Sequence, residues 1–379
     1  MRKKHGIPFF FGLCAMLCLT ACAPGEKKND PPRPIKIADY LYELTLEDYL
    51  FTPLPETDPD CFPLGCSTVR KGNLFGRNLD LYYCEIPEFV IRIPAAEGRF
   101  ASIGVCADPE AVCDVMEMSE ETLLSMPNIT NDGINENGVV ISVNVVDATG
   151  VDELSGTAPG KEKIHAGRIV RYLLDRAESA SHAVELMKEK DIVGGFEGCG
   201  LHWMIADEKD TFVVEIIGGK LTVSRNEPAI MTNFYLNIGE ITPVQSIGGN
   251  LFRNLPLLND YAIGVERWCI LRDGYAGVSS VTDMIELMKK VRATATYDKG
   301  NDPVWYSEFV GNGLSIHADK ADLEKKFAQE AALFEQRDRK DPKGDWITWH
   351  SSVYDIENRT LFLWSQEDYA NRFVYHLGK

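Results

Sequence analysis

Gly65-Cys66-Ser67-Thr68-Val69-Arg70-Lys71-Gly72-Asn73-Leu74-Phe75-Gly76-Arg77-Asn78-Leu79-Asp80 is the stretch on which the fold turns. Residues 66–70 are small, β-branched and suited to extended backbone. Lys71-Gly72 reads as a two-residue hairpin loop in which glycine supplies a positive φ, and Asn73-Leu74-Phe75 begins the return strand. With that loop Cys66 lies directly opposite Arg77, with Cβ atoms roughly 5 Å apart. A guanidinium beside a thiol favours the nucleophilic thiolate. Asp80 is a carboxylate able to orient a proton acceptor. Strict alternation puts it on the other face from Arg77, so it reaches Cys66 only where the strand bends or ends. On spacing alone, a buried hydrophobic Cys and a surface Arg–Asp pair are the commoner reading.

Upstream, Met1-Arg2-Lys3-Lys4-His5 is basic and Ile7 to Leu19 is apolar. That run is too short to span a bilayer as a helix and reads as a signal peptide. Leu19-Thr20-Ala21-Cys22 resembles a bacterial lipoprotein cleavage site, with Cys22 as the lipidated residue. The polar, Pro-rich segment from Ala23 to Pro34 has no apolar period and reads as a tether. Residues 35–51 are rich in apolar and aromatic side chains. They fit an amphipathic helix or two strands, because periods of 2 and 3.6 both find matches. Pro53, Pro55, Pro59 and Pro63 then interrupt regular structure.

The 379-residue chain is 45% hydrophobic and 25% charged, the balance of a soluble globular protein. A net charge of −18 opposes a nucleic-acid or anionic-membrane partner, since both require a basic face. Membrane association is therefore expected only through the lipid anchor. Of the ten Cys, those from Cys66 onward show no C-x-x-C spacing, so neither a zinc site nor a thioredoxin motif is indicated. Cys106 and Cys113 are a candidate disulfide. No metal or cofactor motif is found.

Downstream, residues 88–93 and 100–105 read as strands. Asp132 to Gly138 reads as a turn cluster, leading into the strand 139–146. There Val139, Ile141, Val143 and Val145 share one face, while Val140, Ser142, Asn144 and Val146 share the other. Asn144, alone in an apolar run, must find hydrogen-bond partners. Residues 162–177 and 179–190 show helical spacing, and a strand meander covers 201–207, 211–217 and 220–224. His202 reads as a core histidine. Residues 278–292 form an amphipathic helix, 319–341 a charged helical segment, and 346–365 a closing hairpin.

Cys66-Ser67 followed by Gly76-Arg77-Asn78-Leu79-Asp80 resembles the start of the choloylglycine hydrolase family, which includes bile salt hydrolases and penicillin V acylases. Further motifs follow in the family's order. They are Asn135-Glu136-Asn137-Gly138 before the strand carrying Asn144, Leu201 to Asp207, Thr232-Asn233, Glu266-Arg267-Trp268 in place of the family's Ser-Arg-Phe, and the closing hairpin. The resemblance implies an α+β fold, the four-layer αββα sandwich of N-terminal-nucleophile hydrolases. It implies a signal peptide over 1–21, a tether and propeptide over 22–65, and a catalytic domain over 66–379. Cys66 becomes the nucleophile, Arg77 and Arg267 hold the charge network, Asp80 positions the α-amino group, and Asn144 and Asn233 form the oxyanion hole. The implied substrate is a small-molecule N-acyl amide, and no cofactor is needed. An oligomer is compatible, although the segment between Asn233 and Arg267 is shorter than the one bile salt hydrolases use in their tetramer. Two other readings are an acyltransferase of the isopenicillin N acyltransferase-like type and a non-catalytic acyl-ligand-binding lipoprotein.

Overall fold

The computed structural model describes residues 32–55, 64–81, 87–107, 115–147, 156–194, 199–217, 219–233, 235–236, 267–268, 270–293 and 347–378. Its strands in chain order begin with β1 (Ile35–Ala38), β2 (Leu41–Thr45), β3 (Leu64–Lys71), β4 (Leu74–Leu81), β5 (Glu88–Ile93), β6 (Ser102–Ala107), β7 (Thr130–Asn135) and β8 (Val140–Asp147). They continue with β9 (Lys163–His165), β10 (Asp191–Val193), β11 (Cys199–Ala206), β12 (Thr211–Ile217), β13 (Lys220–Ser224), β14 (Ala229–Met231), β15 (Ile347–Asp355), β16 (Thr360–Ser365) and β17 (Phe373–His376). The helices are α1 (Glu120–Ser125), α2 (Ile169–Arg176), α3 (Ala180–Lys188) and α4 (Val281–Lys289). Residues 267–268 and 270–275 are also helical.

The main strands form a nine-stranded sheet, ordered β1-β2-β5-β6-β7-β8-β11-β12-β13, and a six-stranded sheet, ordered β14-β3-β4-β15-β16-β17. Alternation within each strand divides the apolar side chains between two faces. Val140, Met204 and Val213 from the larger sheet meet Phe75, Met231, Tyr354 and Leu363 from the smaller one in a shared apolar cluster. On the outer face of the larger sheet, Ile141, Trp203, Ile205 and Val214 pack against Leu173, Leu174, Val184 and Met187 of α2 and α3. On the outer face of the smaller sheet, Val69, Ile230 and Val353 pack against Met284, Leu287 and Met288 of α4. Helix, sheet, sheet, helix is the expected αββα order. No helix among the described residues is long and apolar enough to cross a membrane.

The 35–51 segment resolves into strands. β1 pairs antiparallel with β2, and β2 pairs in parallel with β5, so this segment extends the larger sheet. Leu41, Leu44 and Leu46 are buried. The chain then straps across the helix side. Leu50 N–H donates to Leu124 O at 3.1 Å, and His165 N–H donates to Pro53 O at 2.8 Å. Asn128 clamps the strap from both sides, accepting from Thr52 N–H at 3.0 Å and donating to Leu50 O at 2.7 Å. Tyr49 donates to Asp175, and Phe51 packs on Tyr172.

Four expectations change. The central hairpin turns at Gly72-Asn73, with Lys71 facing Leu74, so Cys66 pairs with Leu79 and Thr68 pairs with Arg77. Gly72 has φ +57°, the sign a II′ loop requires at its first position. Lys71 stays in the strand, where its Nζ donates to the carbonyls of Tyr275 and Ala276, each at 2.7 Å. Asp132 begins no turn, since Thr130–Asn135 is strand β7. The helix expected from residue 162 starts only at Ile169, after the short strand β9. Strand β17 closes the smaller sheet beyond the expected hairpin. Cys22, Cys113 and the charged segment 319–341 lie outside the described residues.

Candidate active site

Cys66 lies where the two sheets face each other, 1% exposed and with a free thiol. The loop shift moves the facing partner by two residues and so preserves every side chain's face. Arg77 becomes a diagonal neighbour rather than a direct one, still within reach of a long side chain. Its Nη2 lies 3.9 Å from Cys66 Sγ and donates to Val143 O at 2.7 Å. Burial nevertheless pushes the Cys66 thiol up to about 11, outweighing the Arg77 cation, the backbone N–H of Val145 and Arg267. With the Gly65–Cys66 peptide bond intact, the thiol is therefore protonated at neutral pH.

Asn233 bridges the sheets at this point. Its Oδ1 accepts from Cys66 N–H at 2.9 Å, and its Nδ2 donates to Val145 O at 2.9 Å. Asn144 lies on the predicted face of β8, and its partners explain how the strand tolerates it. Its Oδ1 accepts from Thr68 Oγ1 at 3.1 Å, and its Nδ2 contacts the carbonyls of Met231 at 3.3 Å and Thr232 at 3.2 Å. His202 faces Asn144 across β11 and contacts the same Thr232 carbonyl through Nε2 at 2.7 Å. A carbonyl only accepts, so Nε2 carries a hydrogen, and Nδ1 turns to Glu215 at 3.2 Å. Asn144, His202 and Glu215, side by side on three strands, thus anchor the segment that ends in Asn233.

Asp80 and Arg267 lie on the other face, as alternation requires, and they meet there. Asp80 Oδ2 is 2.6 Å from Arg267 Nη1, and Oδ1 accepts from Thr348 Oγ1 at 2.5 Å. Burial raises the Asp80 carboxyl despite the Arg267 and Arg77 cations. Its strand partner is Gly65, so this pair flanks the Gly65–Cys66 peptide bond rather than the thiol.

Sequence reasoning missed a buried row behind Arg77. Arg77 Nη1 is 2.9 Å from Asp132 Oδ1, which is also 2.9 Å from His350 Nε2, and His350 Nδ1 contacts Glu88 Oε1. Tyr354 and Ser352 donate to Asp132 Oδ2 at 2.6 and 3.1 Å. A signal was present in His350-Ser351-Ser352, three consecutive polar residues between Trp349 and Val353 of one strand. Burial alone would lower the His350 pKa, yet Asp132 and Glu88 outweigh it and push it up to about 9. Burial would raise Asp132, but Arg77 and His350 hold it at about 2. A His raised in the folded state stabilises that state below its unfolded pKa of about 6.5, and the contribution is lost as pH rises through the folded value. Thermal stability is therefore expected to fall between pH 7 and about 9.5, and His350→Gln should flatten that slope. Thermal unfolding of both proteins across this range checks it.

Residues 61–235 match the family model of linear amide C–N hydrolases, choloylglycine hydrolase family. Over that segment the chain is similar to this family. The family acts on small-molecule amides, cleaving a linear C–N bond. No curated relative matches the chain. Among solved structures, it is similar to a mutant of conjugated bile acid hydrolase from Clostridium perfringens. That likeness has a TM-score of 0.47 and 15% identity, covering 83% of this chain and 92% of the other. It is also similar to penicillin V acylase from Agrobacterium tumefaciens, with a TM-score of 0.44 and 17% identity, covering 82% of this chain and 86% of the other. The matched segment carries Cys66, Arg77, Asp80, Asn144 and Asn233, while Arg267, His350 and α4 lie beyond it.

Proposed function

We propose that this chain, similar over residues 61–235 to the choloylglycine hydrolase family, is an exported, lipid-anchored amidase whose nucleophile is Cys66, exposed as an N-terminal residue by cleavage after Gly65. The observation that carries this reading is the seat of Cys66. Its backbone nitrogen is held by Asn233, while its sulfur lies against Arg77 and the Val145 N–H. Cleavage converts the nitrogen held by Asn233 into an α-amino group with an ordinary pKa of about 8, a usable base near neutral pH. That amine takes the thiol proton, and the thiolate attacks the amide carbonyl. The C–N bond breaks, the amine departs with a proton, and an acyl-thioester remains. Water, deprotonated by the same amino group, releases the acid and restores the thiol.

Asn233 Nδ2 and a β8 backbone N–H supply the oxyanion donors. The Asn144 side chain, committed to Thr68 and the Met231 and Thr232 carbonyls, holds that arrangement in place. Asp80 and Arg267 flank the new N-terminus. Export rests on the signal-peptide pattern of residues 1–21 and anchoring on Cys22, both outside the described residues.

Amine release from a panel of N-acyl amides tests the activity, with hydroxamate formation from hydroxylamine marking acyl transfer. On the best substrate, Asn233→Ala is expected to lower kcat on the order of a hundredfold or more, with a smaller change in KM. Steady-state kinetics decide it. A large rise in KM at unchanged kcat would reduce Asn233 to substrate positioning.

A further inference from the structure

Arg77, Asp132, His350 and Glu88 come from β4, β7, β15 and β5, and all four are buried. Both ring nitrogens of His350 face carboxylate oxygens, which only accept, so both nitrogens carry hydrogen. The row then alternates in sign, cation, anion, cation, anion, and sums to zero. Each end is fixed. Ser365 donates to Glu88 Oε2 at 3.3 Å, and Arg77 Nη2 ends 3.9 Å from Cys66 Sγ. Four buried charges gain little over well-packed apolar side chains of the same volume, so stability alone does not account for them. Their geometry holds one guanidinium rigidly at one sulfur.

We propose that His350, backed by Glu88, is a positioning residue for Cys66: as an imidazolium it fixes Asp132, and through Asp132 it holds Arg77 against the sulfur. The inference rests on Cys66 being the nucleophile. The groups facing His350 are Glu88 from β5, Asp132 from β7 and Arg77 from β4, whose Nη1 is 3.3 Å from Nε2. Beyond them lie Tyr354 and Ser352 on Asp132, Ser365 on Glu88, and Tyr375 of β17, which senses the Glu88 charge.

Two near-isosteric substitutions change the row's charge in opposite directions. His350→Gln removes a cation and leaves the row net negative, which disfavours the thiolate. Glu88→Gln removes an anion and leaves it net positive while His350 stays protonated. The probe is iodoacetamide, with the rate of Cys66 alkylation followed by mass spectrometry from pH 6 to 10 on the purified, matured protein, in which the α-amino group of Cys66 is free. The alkylation midpoint is expected to rise by about one unit in His350→Gln, a roughly tenfold slower reaction below the midpoint, and to fall in Glu88→Gln. Midpoints equal to wild type in both folded variants, or shifted the same way, would overturn the proposal. Should His350→Gln fail to fold, ¹⁵N-histidine spectra of the wild type still decide. Doubly protonated His350 through pH 8 supports the row, and a neutral ring at pH 7 refutes it. Alkylation is read on Cys66 without any amide turnover, so failure here is distinct from failure of Cys66 as nucleophile, which would show as turnover by Cys66→Ser.

Discussion

Cys66→Ser is expected to abolish amide hydrolysis, with a loss on the order of ten-thousandfold or more, while the protein remains folded. Removing a covalent nucleophile costs this much because the other site groups act through it. The hydroxyl is a poorer nucleophile here than the thiol. Its proton is far harder to remove, and the only base proposed is an amine of pKa about 8. The structural cost is small by comparison. Cys66 packs with Leu79, Ala107 and Trp349, and placing a hydroxyl among them costs about 1–3 kcal/mol unless it finds a partner. Thermal unfolding should therefore show a modest drop in a cooperative transition, against a complete loss of amine release. Cys66→Ala should in addition block cleavage before residue 66, leaving the uncut chain as the single species by intact mass. Turnover by the purified Ser variant, on any amide the parent hydrolyses, would sink the assignment.

The second large effect concerns what lies before the cut. Separating residues 32–55 from the rest is expected to unfold the domain, so after cleavage the two chains should stay together under native conditions. β2 pairs in parallel with β5, in the register Leu41 to Glu88 through Thr45 to Arg92. Its removal would expose the edge of β5 and strip the contacts of Leu44 with the cluster of Phe89, Ile91, Leu123 and Met126. It would also leave Asn128 and the Tyr49 partner Asp175, both buried, without those hydrogen bonds. Buried polar groups stripped of partners cost about 1–3 kcal/mol each, and a sheet edge invites aggregation. Leu44→Ala alone should cost about 2–5 kcal/mol, the range for a buried Leu. Native mass spectrometry of the matured protein should show a two-chain complex that separates only in denaturant. A stable, active chain starting at Cys66, with nothing of residues 22–55 bound, would show that the segment is dispensable. The same outcome would show that the propeptide leaves after cleavage and does not stay packed on the domain. Under the proposed anchoring at Cys22, a cut before Cys66 would sever the covalent path to the lipid, and the β2–β5 pairing would be what keeps the two chains together.

Local chemistry made much of this legible. Alternation in β8 placed Asn144 and Ser142 on one face because a strand's side-chain period is two, whatever surrounds it. The same rule put Asp80 opposite Arg77 and kept Cys66 and Arg77 together even though the hairpin turned one residue later than expected. The order of short motifs carried the family and, with it, the layered fold. What the sequence left open depended on partners far away along the chain. Residues 35–51 match both periods, and they become strands because β5 offers an edge with buried apolar positions for Leu41 and Leu44. Asp132 sits among turn-forming residues, yet it is held in β7 by Arg77, His350 and Tyr354, which lie 55, 218 and 222 positions away. Its low pKa and the high pKa of His350 exist only where burial removes water and leaves these charges to one another. The thiol shows the same limit. The sequence placed a cation beside Cys66 and suggested an acidic thiol, but how deeply the sulfur is buried is set by the closing of one sheet over the other, and there desolvation outweighs the guanidinium.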